Sequence, residues 1–261
     1  MAIATPIWKT TLTPDEHAFL TLTERSNPGA DRWFLAPESL DLDAILATHP
    51  GWQVMRFPDA YFASVRSYSL WLTEPGLYEA FGDHELLTIC QTDAFLIREL
   101  TPELFHGIDY VGSPWDPPLK SLVLGSRVYI ASAFERPEGF LLARWFGRSM
   151  PVGNGGLSTR RVRALIDLTR WVSTHISARV REHTLEDALL CAIGSRRGLR
   201  IMSAARAGTI YCETGVRDRS TLPDAYGFHG LRRWNAPLAE AVVASVRSAA
   251  GGEVIGESPH A

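Results

Sequence analysis

Cysteine is scarce in this 261-residue sequence, and its distribution excludes two kinds of site. The three cysteines, Cys90, Cys191 and Cys212, lie far apart and form no C-x-x-C pair. An odd number of widely spaced cysteines predicts neither a disulfide framework nor a structural zinc site. Such cysteine usage is typical of a reducing compartment, so we expect a cytoplasmic protein.

Strong net charge and long apolar runs are also lacking. The formal net charge of −3 gives no electrostatic reason to expect nucleic acid or an anionic membrane as the main partner. No stretch approaches the ~18 consecutive apolar residues of a membrane-spanning helix. The opening MAIATPIWKT has neither the basic start nor the apolar core of a signal peptide. We expect no transmembrane segment, which leaves room for a peripheral membrane contact.

The first half of the chain alternates strand-like and helix-like segments. Hydrophobic residues make up 46% of the sequence and charged residues 21%, as in ordinary globular proteins. A helix is predicted after Thr13, with Pro14 at its first position and Glu16 completing a capping box, and a second helix is predicted to open at Ser39. These helices separate three predicted strands, AIATPIW, DRWFLAP and GWQVMRF. This order is typical of βαβ units and a mainly parallel sheet.

The second half is less regular. Residues 116–153 predict an irregular region with a short strand at 126–132. Helical periodicity returns in STRRVRALIDLTRWVSTHI, in TLEDALLCAIGSRRG after Thr184, and in APLAEAVVASVRSAA. We expect one domain over residues 1–248 and a flexible C-terminal tail over residues 249–261.

Asp93 follows a run of residues that predicts a buried strand. Leu86-Leu87-Thr88-Ile89-Cys90 has the length and composition of a strand covered on both faces, and Gln91-Thr92-Asp93 then interrupts it. A carboxylate at the end of such a strand suits Mg²⁺ or Mn²⁺, which take oxygen ligands. A turn-capping role for Asp93 is equally consistent with these residues.

Three further segments carry candidate functional residues. PVGNGGLSTRR places Gly153, Gly155 and Gly156 before a predicted helix start, where backbone N–H groups favour anions, although a flexible helix entry fits as well. Glu186 and Asp187 lie in the first turn of a predicted helix, as a general base or as capping residues. In AYGFHG, His229 is a candidate metal ligand or a packed histidine.

The order of these segments along the chain resembles a known family. Eight segments occur in sequence: PIWKTTLTPDE, LAPESLDLD, RFPDAYFASVRSYSLWL, ICQTDAFLI, IDYVGSPW, VGNGGLSTRRVRAL, EDALL and YGFHG. They resemble a family catalogued only as a domain of unknown function and regarded as GT-A-like glycosyltransferases. The resemblance covers roughly residues 5–235, and its most specific segments are QTDAF, DYVGSPW and VGNGGLSTRR.

The resemblance implies an α/β, GT-A-like fold, in which helices flank a Rossmann-related, mostly parallel sheet. It implies a nucleotide-sugar donor and a divalent metal, Mn²⁺ or Mg²⁺. GT-A enzymes meet metal and donor with a strand-end Asp-x-Asp motif. Here Asp93 takes the place of the second carboxylate, and Gln91 departs from the first. His229 matches the late histidine that GT-A enzymes often add as a metal ligand. The pair formed by Glu186 and Asp187 resembles the acidic pair in which inverting members keep their base.

The rest of the donor site is expected from the same resemblance. Backbone N–H groups near Asn154, Gly155 and Gly156 are expected to hold the donor sugar or phosphate, next to Gln91 and Thr92. The stretch from Thr5 to Lys9 and the stretch from Tyr61 to Tyr68 are expected to line the base and ribose.

The sequence therefore predicts a glycosyltransferase that moves a sugar from a UDP- or GDP-type donor to a hydroxyl group. We expect a metal-assisted, inverting reaction on a glycan, glycoconjugate or small-molecule acceptor, as in polysaccharide biosynthesis. One alternative is a sugar-phosphate nucleotidyltransferase, but TPIWKTTLT lacks the glycines of its phosphate loop. The other is a non-catalytic nucleotide- or sugar-binding module, which the departure at Gln91 would explain.

Overall fold

The computed structural model describes residues 1–131 and 140–251. Within them the strands are β1 Ala2–Pro6, β2 Asp31–Pro37, β3 Gln53–Phe57, β4 Leu86–Cys90, β5 Ala94–Leu96, β6 Tyr110–Leu124, β7 Arg127–Ala131, β8 Arg148–Arg161, β9 Tyr211–Cys212 and β10 Gly227–His229. Seven of them form a sheet in the order β3-β2-β1-β4-β8-β6-β7, and β5, β10 and β9 form a small second sheet. In the large sheet β1, β2, β3, β4 and β6 run one way, while β7 and β8 run the other. The predicted mostly parallel α/β sheet is confirmed.

Helices cover both faces of this sheet. Within the described residues they are α1 Pro14–Ser26, α2 Asp43–Thr48, α3 Val65–Trp71, α4 Pro75–Ala80, α5 Phe140–Phe146, α6 Val162–His175, α7 Ala178–Glu182, α8 Glu186–Gly194, α9 Ala204–Ile210, α10 Leu231–Trp234 and α11 Ala236–Gly251. Short 3₁₀ turns occur at Asp59–Phe62, Pro102–Phe105 and Thr214–Val216. None of the helices within the described residues combines the length and the hydrophobicity that crossing a membrane requires.

The first βαβ units form as predicted. β1 pairs in parallel with both β2 and β4, and β2 pairs in parallel with β3. The capping box of Thr13 and Glu16 starts α1. The predicted start of α2 at Ser39 is wrong, because the Ser39 N–H donates to Asp59 and the helix begins at Asp43.

Strand alternation builds two cores, one on each face of the sheet. Successive side chains of a strand point to opposite faces. Accordingly, Leu87 and Ile89 of β4 pack into the core under α3, α4, α6 and α8. Leu86 and Cys90 pack into the core on the face of α1, α2 and α9. Because β4 is buried on both faces, only the residues beyond its end can meet a ligand.

Within the region predicted to be irregular, residues 116–153, most of the described residues lie in regular elements. They belong to β6 up to Leu124, to β7, to α5 and to the first part of β8, which runs past Gly153 to Arg161. The predicted strand at 126–132 is present as β7. The sequence pattern is weak because the pairing of β6 with β8 shifts register between Gly112 and Leu119, where Pro114 and two further prolines interrupt the alternation.

The helix predicted from Ser158 begins only at Val162. Residues 158–161 end β8 and pair with β4, and Thr159 hydrogen-bonds Thr88 across the pair at 2.7 Å between their hydroxyl oxygens. The predicted helix start after the glycines is therefore wrong, since Gly153, Gly155 and Gly156 lie inside a strand. At the other end of the chain, α11 extends to Gly251, and most of the expected flexible tail, residues 252–261, lies outside the described residues.

Candidate active site

The turn that follows β4 presents Asp93 at the sheet edge. The Gln91 N–H bonds to the carbonyl of Gly156 at 2.9 Å, and the Ala94 N–H bonds back to the Gln91 carbonyl at 2.8 Å. This turn leaves the Asp93 side chain 57% exposed, with its Oδ1 3.4 Å from Nε2 of His229. The carboxylate thus faces a histidine rather than only capping its own turn.

His229 lies between two carboxylates. It ends β10, which pairs with β5 directly after the Asp93 turn, so strand pairing brings the two residues together. Its Nδ1 is 3.6 Å from Oε1 of Glu213 on the other side of the ring. Burial opposes a charged imidazole, but the contacts with Asp93 and Glu213 outweigh it and raise the pKa of His229 to about 10. Partial loss of solvent around Asp93 favours its neutral form, but the hydrogen bond and charge of His229 outweigh this effect, and the pKa of that carboxyl lies below its ordinary value.

Two adjacent glycines of β8 separate this pair from a second group of acids. A Cβ at Gly156 would lie 2.2 Å from Nε2 of His229 and 2.9 Å from Oε1 of Gln91. A Cβ at Gly155 would lie 2.3 Å from Oε1 of Glu186 and 3.2 Å from Cβ of Asp187. Because adjacent Cα atoms are about 3.8 Å apart and successive Cβ directions of a strand are opposite, the two groups approach β8 at neighbouring residues from its two sides. The lack of a side chain at Gly155 and Gly156 lets each group come close to the strand backbone.

The start of α8 is built differently from the prediction. Thr184 does not cap this helix; the Glu186 N–H donates instead to Oγ of Ser69 on α3, at 2.7 Å. Asp187 does not face back toward Thr184 either. Its Oδ2 accepts the Gly155 N–H at 3.0 Å, and its Oδ1 accepts the Ala188 N–H at 2.6 Å. The predicted capping box with Thr184 therefore does not form, and Asp187 binds the Gly155 N–H of β8 as well as the Ala188 N–H of its own helix.

Arg160 neutralises Glu186 in the interior. Its guanidinium is fully buried and donates to Oε1 of Glu186 at 3.1 Å, to the Tyr78 hydroxyl at 2.7 Å and to Oγ of Ser158 at 3.1 Å. The guanidinium also lies over the Tyr110 ring, with Cζ of Arg160 5.5 Å from the ring centroid. A buried carboxylate needs such a partner to remain ionised. Arg160 is therefore a buried cationic partner of Glu186.

Asp187 has no such partner among these groups, and its protonation differs accordingly. Burial, and then the negative charge of Glu186, raise the pKa of Asp187 to about 7, while its two backbone hydrogen bonds oppose the rise. A carboxylate that titrates near neutral pH is suited to accept a proton in catalysis.

Three of the predicted donor residues lie beside Glu16 and the sheet interior. Lys9 Nζ contacts Oε2 of Glu16 at 2.6 Å, and the Thr92 hydroxyl donates to Oε1 of Glu16 at 2.6 Å. Thr92 is buried, so this bond ties the Asp93 turn to the start of α1. Thr5, the residue before the end of β1, is buried, and its hydroxyl has no hydrogen-bond partner among the described residues.

The two predicted tyrosines flank Trp71 of α3. The Tyr61 ring stacks on Trp71 with centroids 5.3 Å apart, and the Tyr68 ring meets Trp71 edge-on at 6.0 Å. Burial, and then the charge of Glu186, raise the pKa of the Tyr68 hydroxyl above its ordinary value, so Tyr68 stays neutral. The structure thus brings Tyr68 close to the acidic pair, while Tyr61 packs on the outer side of Trp71.

The backbone N–H groups of the glycine segment are engaged within the protein. Gly155 N–H donates to Asp187, as described, and Gly156 N–H donates to Oδ1 of Asn154 at 3.0 Å. The Asn154 amide in turn donates to Oε2 of Glu213 at 2.6 Å. An anion held by these N–H groups would have to replace these bonds.

Sequence reasoning missed Glu213 and Arg160. Glu213 follows the two-residue strand β9 and has no motif around it; its link to the site runs through the pairing of β9 with β10. Arg160 lies in STRR, next to a second arginine, and its surroundings are typical of a solvated helix start. Had residues 158–161 been recognised as part of a buried strand, the Arg160 side chain could have been placed in the interior.

Asp93 and His229 fit a divalent cation as a pair of ligands. Once a bound cation displaces the proton that Asp93 and Glu213 hold on His229, a carboxylate oxygen, an imidazole nitrogen and the nearby amide oxygen of Gln91 are a donor set that Mn²⁺ accepts. Glu213 lies on the Nδ1 side of His229, as carboxylates behind metal-bound histidines do. Among the described residues no group of three or more His, Cys, Asp or Glu side chains is placed to hold a metal ion. The remaining ligands would have to come from the substrate or from water.

Comparison with known proteins assigns the family. A family model described as "Protein of unknown function (DUF5672)" matches residues 51–227, more than half of the chain. The chain belongs to this family. The segments QTDAF, DYVGSPW and VGNGGLSTRR, which carried the resemblance, all lie within the DUF5672 match. No curated protein sequence matches the chain.

Solved structures give the fold of this DUF5672 member. A structure described as an active-site mutant of LgtC aligns with a TM-score of 0.56 and 13% identity, covering 95% of this chain and 96% of that one. A second, of the galactosyltransferase LgtC with donor and acceptor sugar analogues, aligns with a TM-score of 0.52 and 15% identity, covering 94% and 96%. The expected GT-A-like fold is confirmed, and the proteins that share it are glycosyltransferases.

Proposed function

We propose that this protein transfers a sugar from a nucleotide-sugar donor to a hydroxyl acceptor. The observation that carries the proposal is that two groups approach β8 at the neighbouring residues Gly155 and Gly156, one from each side of the strand. Asp93 and His229, a pair suited to a metal and a diphosphate, lie on one side, and Glu186 and Asp187 lie on the other. Glycosyl transfer needs the diphosphate-binding groups and the base within the length of one donor. The reason is that the leaving group departs from the same carbon that the acceptor attacks.

The residues divide into two tasks. Asp93 and His229 hold the donor diphosphate together with a divalent ion, which when bound supplies Lewis-acid stabilisation of the leaving group. The acceptor oxygen bonds to the sugar carbon, the bond from that carbon to the phosphate oxygen breaks, and the diphosphate leaves with the electron pair. The proton of the acceptor hydroxyl passes to the Asp187 carboxylate. Asn154, Gln91 and Tyr68 line the donor side of this site, and the buried Thr92 holds the Asp93 turn against Glu16.

The acidic pair supports an inverting reaction. Glu186, which is paired with Arg160, places a carboxylate near an oxocarbenium-like centre. Asp187, with a pKa of about 7, is the base that accepts the acceptor proton. We propose UDP- or GDP-linked sugars as donors and a glycan or glycoconjugate hydroxyl as the acceptor.

Thermal unfolding with nucleotides tests the donor site. UDP or GDP is expected to raise the melting temperature more in Mn²⁺ than in EDTA, because a ligand that binds only the folded state stabilises it by mass action. In Asp93→Asn this Mn²⁺-dependent shift should largely disappear, whereas Asp167→Asn, which alters an exposed aspartate of α6, should keep it. If no nucleotide or nucleotide sugar shifts the melting temperature under either condition, the proposal fails. Binding of a nucleotide sugar without hydrolysis or transfer would instead indicate a non-catalytic module.

A further inference from the structure

The short helix α5 turns its apolar face away from the protein. Leu141 and Trp145 are four residues apart, as are Leu142 and Phe146, so the four side chains form one stripe along the helix. Trp145 is 74% exposed, Phe146 73% and Leu141 65%, whereas Ala143 is fully buried. A helix on the surface of a globular protein ordinarily points its large apolar residues toward the core. We call this stripe the α5 face.

The orientation of the α5 face is fixed by contacts behind it. Ala143 packs inward, and Lys120 of β6 donates from Nζ to the carbonyl of Arg144 at 3.1 Å. Gly147 alone separates α5 from β8, which begins at Arg148 and pairs there with Ser121 of β6. The helix is therefore held against the sheet edge with its large side chains outward.

Exposed apolar residues are concentrated at this edge of the sheet. Among the described residues the large hydrophobic side chains that are exposed are Trp8, Val65, Leu124, Leu141, Leu142, Trp145, Phe146 and Leu185. Five of these eight belong to α5 or to the end of β6, which pack against each other. Single exposed apolar residues are normal, but a cluster of this kind marks an interaction surface.

The surroundings of the α5 face are basic, although the chain as a whole is acidic. Lys120, Arg127, Arg144 and Arg148 are exposed on β6, β7, α5 and β8. The sequence contains no Asp or Glu over residues 117–134 or over residues 139–166, against a net charge of −3 for the full chain. The overall charge, which gave no reason to expect an anionic membrane, hides this local excess of positive charge.

We propose that the α5 face inserts into the headgroup region of an anionic lipid bilayer. Tryptophan, phenylalanine and leucine flanked by basic residues are the composition of helices that lie in a membrane interface. Each lysine or arginine near an anionic surface adds to the attraction. A second copy of this chain fits less well, since a symmetric dimer through α5 would set four cations against the same four.

Co-sedimentation of the full chain with vesicles tests this proposal without reference to catalysis. Vesicles of phosphatidylcholine with about 30% phosphatidylserine should bind the protein, and pure phosphatidylcholine vesicles should bind it clearly less. Raising the salt concentration to about 0.5 M should weaken the binding, because salt screens exposed charges. Absence of binding to the anionic vesicles at low salt would overturn the proposal.

Two variants distinguish membrane insertion of the α5 face from non-specific hydrophobic binding. Trp145→Ser combined with Phe146→Ser should lower the partition coefficient at least about 10-fold, because two large apolar side chains no longer leave water. Val65→Ser removes an apolar residue that is also 73% exposed but lies on α3, and it should bind like the wild type. Equal losses in both would overturn the proposal. The proposal would also be overturned if analytical ultracentrifugation without lipid showed a dimer that the double variant dissociates. In that case the α5 face would join two copies of the chain.

Discussion

At the scale of single residues, two neighbouring carboxylates show how environment assigns different roles to similar groups. Glu186 meets the buried guanidinium of Arg160, whereas Asp187 meets only the backbone N–H groups of Gly155 and Ala188. The first carboxylate therefore has a buried cationic partner, whereas the pKa of the second is raised to about 7. This separation favours Asp187 over Glu186 as the base.

Asp187→Asn is expected to slow sugar transfer by ~10²-fold or more with donor binding almost unchanged, because it removes the proton acceptor and keeps a similar shape. In the wild type kcat/KM should rise with pH through about 7, where Asp187 loses its proton. Steady-state kinetics over pH 5–9 would measure both effects, with Asp167→Asn as the matched exposed control. Normal transfer by Asp187→Asn together with collapse in Glu186→Gln would exchange the two roles. Normal transfer by both would remove the carboxylate base and favour a retaining mechanism.

The same group makes folding stability depend on pH. The pKa of Asp187 is raised from 3.8 to about 7 on folding, so between these values the folded protein keeps a proton that the unfolded chain has lost. Its contribution to the free energy of unfolding is therefore present at low pH and is lost as pH rises toward 7.

Individual site residues could be found from the sequence, but their mutual positions could not. Asp93 and His229 are separated by well over a hundred residues, and the pairing of β5 with β10 brings them together. Glu213 lacked any local signal, because it acts through this same sheet. Thr184 was mistaken for a cap since Ser69, which binds the start of α8, belongs to a distant helix.

At the scale of secondary-structure elements, β8 is the part of the site that sequence patterns describe least well. It runs through a glycine-rich segment and register shifts before it pairs regularly with β4. Its glycines resemble a loop that leads into a helix. The strand needs them for close approach instead: Gly155 faces the acidic pair and Gly156 faces His229 and Gln91.

Alanine at each glycine of β8 is expected to damage one half of the site. Gly156→Ala puts a methyl group 2.2 Å from Nε2 of His229 and should mainly weaken Mn²⁺-dependent nucleotide binding. Gly155→Ala puts one 2.3 Å from Oε1 of Glu186 and should mainly lower the rate of transfer. Calorimetric titration and single-turnover kinetics would separate the two effects.

Gly29→Ala is the control for both changes, because a Cβ there has no atom within 4 Å, and it should leave binding and rate unchanged. Identical losses of both functions in Gly155→Ala and Gly156→Ala would contradict the division of the site.

At the scale of the whole molecule, the sequence predicted the parallel half of the sheet and missed the antiparallel half. βαβ units are local, and their strands and helices alternate with clear periodicity in the first 90 residues. β8 instead inserts between β4 and β6, so its neighbours are set by long-range pairing that no local pattern encodes. The proposed catalytic acids come from α8, which packs against this inserted strand, so the candidate site could be assembled only from the complete fold.

Arg160 connects these parts, and its removal should cost the protein stability as well as organisation. It reaches from β8 to Glu186 of α8 and to Tyr78 of α4 with no exposed surface. Arg160→Met would leave Glu186 as an unpaired buried charge and is expected to lower the free energy of unfolding by about 3–5 kcal/mol. Arg160→Met combined with Glu186→Gln should recover much of this loss, since no buried charge remains. Arg163→Met, which breaks an exposed pair with Asp167 on α6, should change stability by less than about 1 kcal/mol. Urea unfolding of the three variants would decide, and equal stability of Arg160→Met and Arg163→Met would show that Arg160 does not neutralise Glu186.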